Sequence, residues 1–142
     1  MIFVAGVVVG GVATEFASNY VGRQVHEALQ FASLSQAQQE AEATYFQRSP
    51  EIAEWELSKL IPLLTTPSKP PYYTENERTL ALFLTHARLA KIQKAQGKQA
   101  EAEQNLAAAS QFVQKLFPND QLDNSDQVFT VLSKFDQLQK PK

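Results

Sequence analysis

The sequence predicts an all-α protein, with an N-terminal membrane helix and stalk followed by a small four-helix bundle. Alanine and glutamine are abundant, and β-branched runs are few after Ala13, a composition that favours helix. Apolar residues in the later segments recur at intervals of three and four positions, which is the period of one helix face. A chain of 142 residues is enough for one domain with a modest core, even with about 20 residues in lipid.

Residues 1–21 are the predicted membrane anchor. Positions 2–13 carry no polar side chain, and extending the segment through Val21 gives about 20 residues, or roughly 30 Å of helix, enough to cross a bilayer. Glu15 lies within this stretch, where a charge costs about 2.5–3.5 kcal/mol at the bilayer centre and less towards an interface. Two alternatives stay open. One is an apolar helix buried against protein, and the other is a signal peptide, although no Lys or Arg precedes the apolar run.

Within the anchor, Gly6 and Gly10 form a GxxxG pair on one helix face. In lipid this spacing lets two helix backbones approach closely, so the pair predicts a helix–helix contact in the membrane and a homo-oligomer. Arg23 flanks the C-terminal side of the segment. Under the positive-inside rule, this single cation slightly favours a single-pass protein with its soluble domain on the cytoplasmic face.

Residues 22–47 are predicted to continue as a helical stalk. Their apolar positions keep helical spacing as far as Leu34 and then give way to Gln and Glu. We therefore expect this stretch to project as a polar stalk before the interaction domain, which comprises residues 48–142.

The first helix of that domain has clear start signals. Ser49 is a suitable cap and Pro50 suits the first helical position, whereas Pro62 should kink or end the helix. We expect Trp55 to lie in the core. The stretch TTPSKPPYY then reads as a proline-rich loop.

Three further helices follow the loop. Thr74 and Glu77 match a capping box, which starts the next helix near residue 75, and Gly97 is a typical C-terminal stop. Pro118 ends the helix after that, and a polar turn leads to the last one. Their apolar rows have helical spacing: Leu82, Leu89 and Ile92, then Ala102, Leu106, Ala109, Val113 and Leu116, then Val128, Leu132, Phe135 and Leu138.

The stretch from His86 to Ser110 resembles one tetratricopeptide repeat. Leu89 and Ala90 stand at the Leu-Gly pair of that motif, and Gly97 stands at the glycine of its inter-helix turn. The second helix carries the motif's row of small, large and small residues, namely Ala102, Leu106 and Ala109. Such a row lets two antiparallel helices pack closely.

Three positions depart from the repeat. His86 replaces the aromatic residue that opens its first helix, Gln93 replaces its usual tyrosine, and Pro118 falls later than the closing proline. Because a repeat stack needs about three copies and no second copy is evident, we expect one repeat-like hairpin within a small bundle. The resemblance implies protein–protein interaction.

Composition and motifs argue against catalysis. The chain has no cysteine, which excludes thiolate chemistry and Cys-ligated zinc, and its net charge of −2 comes without a basic block typical of nucleic-acid binding. His26 and His86 each lack a second histidine at ligand spacing. No phosphate loop, nucleophile elbow or HExxH motif occurs. We therefore predict a protein without enzyme activity, cofactor or metal.

The residues that we assign to partner contact are Tyr72 and Tyr73, at the end of the proline-rich loop, and His86 on the following hairpin. Amphipathic tyrosines on a rigid loop are effective contact residues. The sequence thus favours a membrane-anchored adaptor or scaffold that binds another protein through its helical domain. A structural accessory subunit of a larger membrane complex is the alternative, and a small ligand-binding bundle is less favoured.

Overall fold

The computed structural model of the protein describes residues 29, 32–47, 49–66, 73–122 and 124–142. Regular secondary structure in these residues is helical throughout and includes no strand, which confirms the all-α prediction. The elements are α1 (residues 32–47), α2 (Pro50–Thr65), α3 (Glu75–Ala95), α4 (Gln99–Leu116) and α5 (Ser125–Gln139).

The predicted anchor, residues 1–21, lies outside the described residues, together with its Gly6 and Gly10 pair. Among the helices of the described part, none combines the length and apolar character that crossing a membrane requires.

Local sequence signals set the ends of α3. Thr74 Oγ1 accepts a hydrogen bond from the Glu77 backbone N–H at 3.2 Å, and the Glu77 carboxylate accepts one from the Thr74 backbone N–H at 2.7 Å. This is the predicted capping box. Gly97 follows α3 with a φ of 77°, a left-handed conformation that favours glycine.

Replacing Thr74 by alanine is expected to lower the free energy of unfolding by about 1 kcal/mol, because the first turn of α3 loses its cap. Ser49 is the matched control, since it occupies the N-cap position of α2 but its side chain makes no capping hydrogen bond. Urea unfolding of the two alanine variants measures both effects. Equal losses would contradict a specific role for the α3 capping box.

Pro62 does not end α2 at its own position. The helix continues for three residues to Thr65, and the Thr66 backbone N–H donates to the Pro62 carbonyl oxygen at 3.3 Å. Because Pro62 stands in the last turn, it removes one backbone hydrogen bond without interrupting a longer helix.

α3 lies at the centre of the bundle. Its buried side chains point in all directions around the helix and contribute to two core clusters. The first cluster joins α1, α2 and α3, and the second joins α3, α4 and α5. α3 therefore connects the two halves of the described chain.

Residues 32–47, which belong to the stretch predicted to project as a stalk, instead pack against the bundle. Ala41 is fully buried in the first core cluster, and Leu34, Ala37 and Tyr45 pack against that cluster. These four positions recur at intervals of three or four, so a narrow row of two alanines between one leucine and one tyrosine suffices to dock α1.

The prediction of a buried Trp55 is wrong. The buried row of α2 comprises Ala53, Leu57, Leu60 and Leu64, and Trp55 lies on the opposite side of the helix. Its ring is exposed, with the Lys59 ammonium 3.4 Å from the ring centroid. Helical position relative to the leucine row decides burial here, and side-chain size does not.

Candidate functional site

Two of the three residues that the sequence assigns to partner contact fall within the described part of the chain. Tyr73 is half-buried, and its hydroxyl oxygen lies 3.4 Å from Ser35 Oγ and 3.4 Å from Gln38 Oε1, both on α1. His86 is half-buried on α3 and stacks on Phe112, with ring centroids 5.7 Å apart. Tyr72 lies outside the described residues. Both described residues thus contact the chain's own helices.

A chain of hydrogen bonds links His86 to α2. His86 Nδ1 donates to Asn105 Oδ1 at 2.8 Å, and Asn105 Nδ2 donates to Gln93 Oε1 at 2.8 Å. Gln93 Nε2 donates in turn to Glu54 at 3.2 Å, and Lys98 Nζ donates to the same carboxylate at 2.7 Å. His86 and Gln93, both on α3, are therefore joined through Asn105 of α4.

The stability of the protein should fall as pH decreases below neutrality. Burial lowers the pKa of His86, and the hydrogen bond with Asn105 opposes this effect in part. The unfolded chain then takes up a proton near pH 6.5 before the folded chain does. The contribution of neutral His86 is complete above the unfolded pKa and is lost as pH falls below it.

Urea unfolding at pH 7.5 and at pH 5.5 tests this dependence. The variant His86→Gln should lose less stability over that interval than the native chain. An unchanged pH dependence in His86→Gln would contradict the assignment.

A buried ion-pair cluster forms around Arg88 of α3. Its guanidinium, only 2% exposed, donates to Asp136 Oδ1 of α5 from Nε at 3.1 Å and from Nη2 at 3.0 Å. Nη2 also donates to the Gln139 side-chain oxygen at 2.5 Å, and Nη1 lies 3.7 Å from a Glu42 carboxylate oxygen of α1. Tyr45 of α1 donates its hydroxyl hydrogen to Asp136 Oδ2 at 2.7 Å. The cluster therefore ties α1, α3 and α5 together.

The chemistry of this cluster favours a structural role. Burial raises the pKa of the Tyr45 hydroxyl, and the hydrogen bond to Asp136 raises it further, so Tyr45 stays protonated and acts as a donor. Both oxygens of Asp136 accept hydrogen bonds from protein groups. No described group of three or more His, Cys, Asp or Glu residues is placed to hold a metal ion.

An open cavity of about 590 Å³ borders the cluster between α1, α3 and α5. Tyr45 and Phe46 form part of its wall, and Lys91 and Lys140 contribute ammonium groups. Gln96 also lines it, with a buried side-chain oxygen that has no hydrogen-bond partner in the described part of the chain. Ser133, Asp136 and Gln137 add further polar side chains to the lining.

A second opening is an apolar groove of about 480 Å³ between α5 and the connection that precedes it. Its rim carries Asp120, Gln127, Thr130 and Lys134. Leu138 is 83% exposed, which makes it the most exposed large apolar side chain of the described residues. We call this opening the α5 groove, and its apolar lining comprises Phe117, Leu122, Val131, Phe135 and Leu138.

Sequence reasoning missed the partners of Arg88. The available signal is an arginine within the otherwise apolar centre of α3, together with Asp136 directly after Phe135 in the apolar row of α5. Arg88 has no acidic residue three or four positions away on α3, so its place in an apolar helix predicts a buried partner from another helix.

The chain matches no protein-family model, no curated protein and no solved structure. The assignment of function therefore rests on the residues and their geometry.

Proposed function

We propose that the protein is a non-enzymatic, membrane-anchored adaptor. In this proposal residues 1–21 form a single-pass anchor, and the helical domain binds a partner protein. The observation that carries this proposal is the α5 groove. Phe117 and Leu138 are exposed in this groove beside further apolar lining, and exposed apolar side chains grouped in one groove are typical of a binding site.

The shape of the α5 groove fits a partner helix. Val131, Phe135 and Leu138 follow one another at intervals of four and three residues along α5, so they form a continuous apolar row. Phe117 and Leu122 supply the other wall. An amphipathic helix that places its apolar face in such a groove would cover Leu138, and the polar rim would surround the contact.

The α3–α4 hairpin supports the interaction role. Its turn contains Gly97, and Ala90, Ala102 and Ala109 are buried where the resemblance to a tetratricopeptide repeat expects close helix packing. In this proposal α3 and α4 form one repeat-like unit, and α5 packs after it and completes the binding surface.

Replacing Leu138 by glutamate is expected to reduce binding of the partner by at least about tenfold, because a charge would enter the apolar centre of the contact. Gln111→Glu is the matched control, since Gln111 is exposed on α4 away from the groove lining. Partner recovery with the tagged full chain from a mild detergent extract measures the effect. Equal recovery with both variants would contradict the α5 groove as the binding site.

Membrane attachment has its own test. Alkaline carbonate washing should leave the full chain in the membrane pellet, whereas a chain beginning at Gly22 should be extracted. A full chain that is released by the wash would contradict the anchor. A full chain that is retained but unfolds on detergent extraction would instead favour the structural subunit of a larger membrane complex.

A further inference from the structure

α2 carries two exposed large apolar side chains at the ends of one helical row, in which the Lys59 side chain is 45% exposed and the Glu56 side chain is 15% exposed. Ile52 is 43% exposed and Leu63 is 44% exposed, and Glu56 and Lys59 stand between them. The intervals along this row are four, three and four residues, the spacing that keeps side chains aligned when two helices pack side by side. Trp55, also exposed, borders the row. This surface is separate from the α5 groove.

The row is self-complementary under reversal. Read in one direction it is apolar, acidic, basic and apolar, and read in the other it is apolar, basic, acidic and apolar. With a second copy placed antiparallel about a twofold axis between residues 57 and 58, Ile52 faces Leu63 of the second copy. Glu56 then faces Lys59 of the second copy, and the symmetry repeats each contact.

We propose that this face of α2 is a homodimer contact, with a second copy of the chain as its occupant and the two α2 helices antiparallel. Within one copy, Lys59 Nζ lies 2.9 Å from a Glu56 carboxylate oxygen, and it lies 3.4 Å from the Trp55 ring centroid. Across the twofold axis each Lys59 ammonium faces the Glu56 carboxylate of the second copy and each Ile52 faces a Leu63, so the pairing leaves no charge opposite an apolar side chain.

The contact is small. The row spans about 16 Å of helix, so it covers less than the roughly 800 Å² per partner of a standard protein–protein interface. We expect a weak dimer that forms when copies are held close together, as attachment to one membrane would hold them. The increase in local concentration on a shared membrane rests on the proposed membrane anchor, whereas the antiparallel pairing of the α2 helices does not.

Disulfide trapping tests the geometry, because the native chain has no cysteine. Full chains carrying Ile52→Cys or Leu63→Cys, with different tags, are mixed in lipid vesicles and oxidised. Disulfides between the two variants should exceed those between two Ile52→Cys chains at least about tenfold, since antiparallel pairing separates the two copies of position 52 by roughly 16 Å. Equal yields, a preference for the Ile52→Cys homodimer, or no disulfide would each overturn the proposal.

Charge reversal tests whether Glu56 and Lys59 pair between the two copies. The measurement is energy transfer between labelled full chains in lipid vesicles. Glu56→Lys and Lys59→Glu each place like charges opposite one another across the axis, and each should weaken self-association by about tenfold. An equimolar mixture of the two variants restores opposite charges between the copies but not within either copy, so it should restore association. Failure of the mixture to associate would overturn the proposal.

The same measurement separates this contact from partner binding. Leu138→Glu alters the α5 groove and should leave energy transfer between copies unchanged. A loss of self-association in Leu138→Glu would place the dimer contact at the α5 groove and overturn the assignment to α2.

Discussion

Replacement of Arg88 by methionine is expected to lower the free energy of unfolding by about 3 kcal/mol, because removing one partner of a buried ion pair leaves the other charge uncompensated. The carboxylate of Asp136 is 13% exposed, and it would keep the hydrogen bond from Tyr45 but lose both bonds from the guanidinium. Urea unfolding followed by circular dichroism measures the loss.

Lys91→Met is the matched control for this prediction. Lys91 Nζ lies 3.9 Å from Asp136 Oδ2, but its side chain is exposed, and an exposed ion pair contributes at most about 1 kcal/mol. A double-mutant cycle between Arg88→Met and Asp136→Asn should then show strong coupling. A loss in Arg88→Met no larger than that in Lys91→Met would contradict the role of the cluster in joining α1, α3 and α5.

The second large effect is expected at Phe83. This side chain is fully buried in the cluster that joins α3, α4 and α5, and its ring meets Phe135 edge-on with centroids 6.3 Å apart. Phe83→Ala removes the ring from a closed core, so the free energy of unfolding should fall by about 4 kcal/mol. Chemical unfolding of the variant provides the measurement.

Two further variants test whether the loss of stability in Phe83→Ala comes from the closed core. Phe83→Leu keeps most of the apolar volume and should cost about 1.5 kcal/mol or less. Phe117→Ala removes an exposed ring from the α5 groove, and its loss should be well below that of Phe83→Ala. If Phe117→Ala were as destabilising as Phe83→Ala, the groove would be part of the core and not an available surface.

Local chemistry explains what the sequence predicts correctly. The capping box at Thr74 and Glu77 and the left-handed turn at Gly97 depend on residues within three or four positions, so their patterns are visible in the printed chain. The helical rows of α4 and α5 follow in the same way from intervals of three and four.

Tertiary packing explains what the sequence does not reveal. Trp55 is a large aromatic residue on an amphipathic helix, and only its position opposite Leu57 and Leu60 shows that it faces solvent. Docking of α1 through Ala41 depends on a row too narrow to stand out from its polar surroundings. The pairing of Arg88 with Asp136 joins residues 48 positions apart, which no local spacing can indicate.

The α5 groove shows both what helical periodicity predicts and what it does not. The row of Val128, Leu132, Phe135 and Leu138 predicts a buried helix face, but the structure buries Val128 and Leu132 and leaves Leu138 exposed. The end of this row therefore extends beyond the core, and sequence periodicity alone does not show where the core stops.

Site-specific photo-crosslinking in intact membranes tests the adaptor role most directly. A photoreactive phenylalanine analogue replaces Leu138 in one full-length chain and Gln111 in another, and irradiation joins each to any protein within reach. The account predicts a discrete adduct with a partner protein from position 138 and none from position 111. Absence of an adduct at position 138, or the same adducts at both positions, would contradict a partner-binding α5 groove.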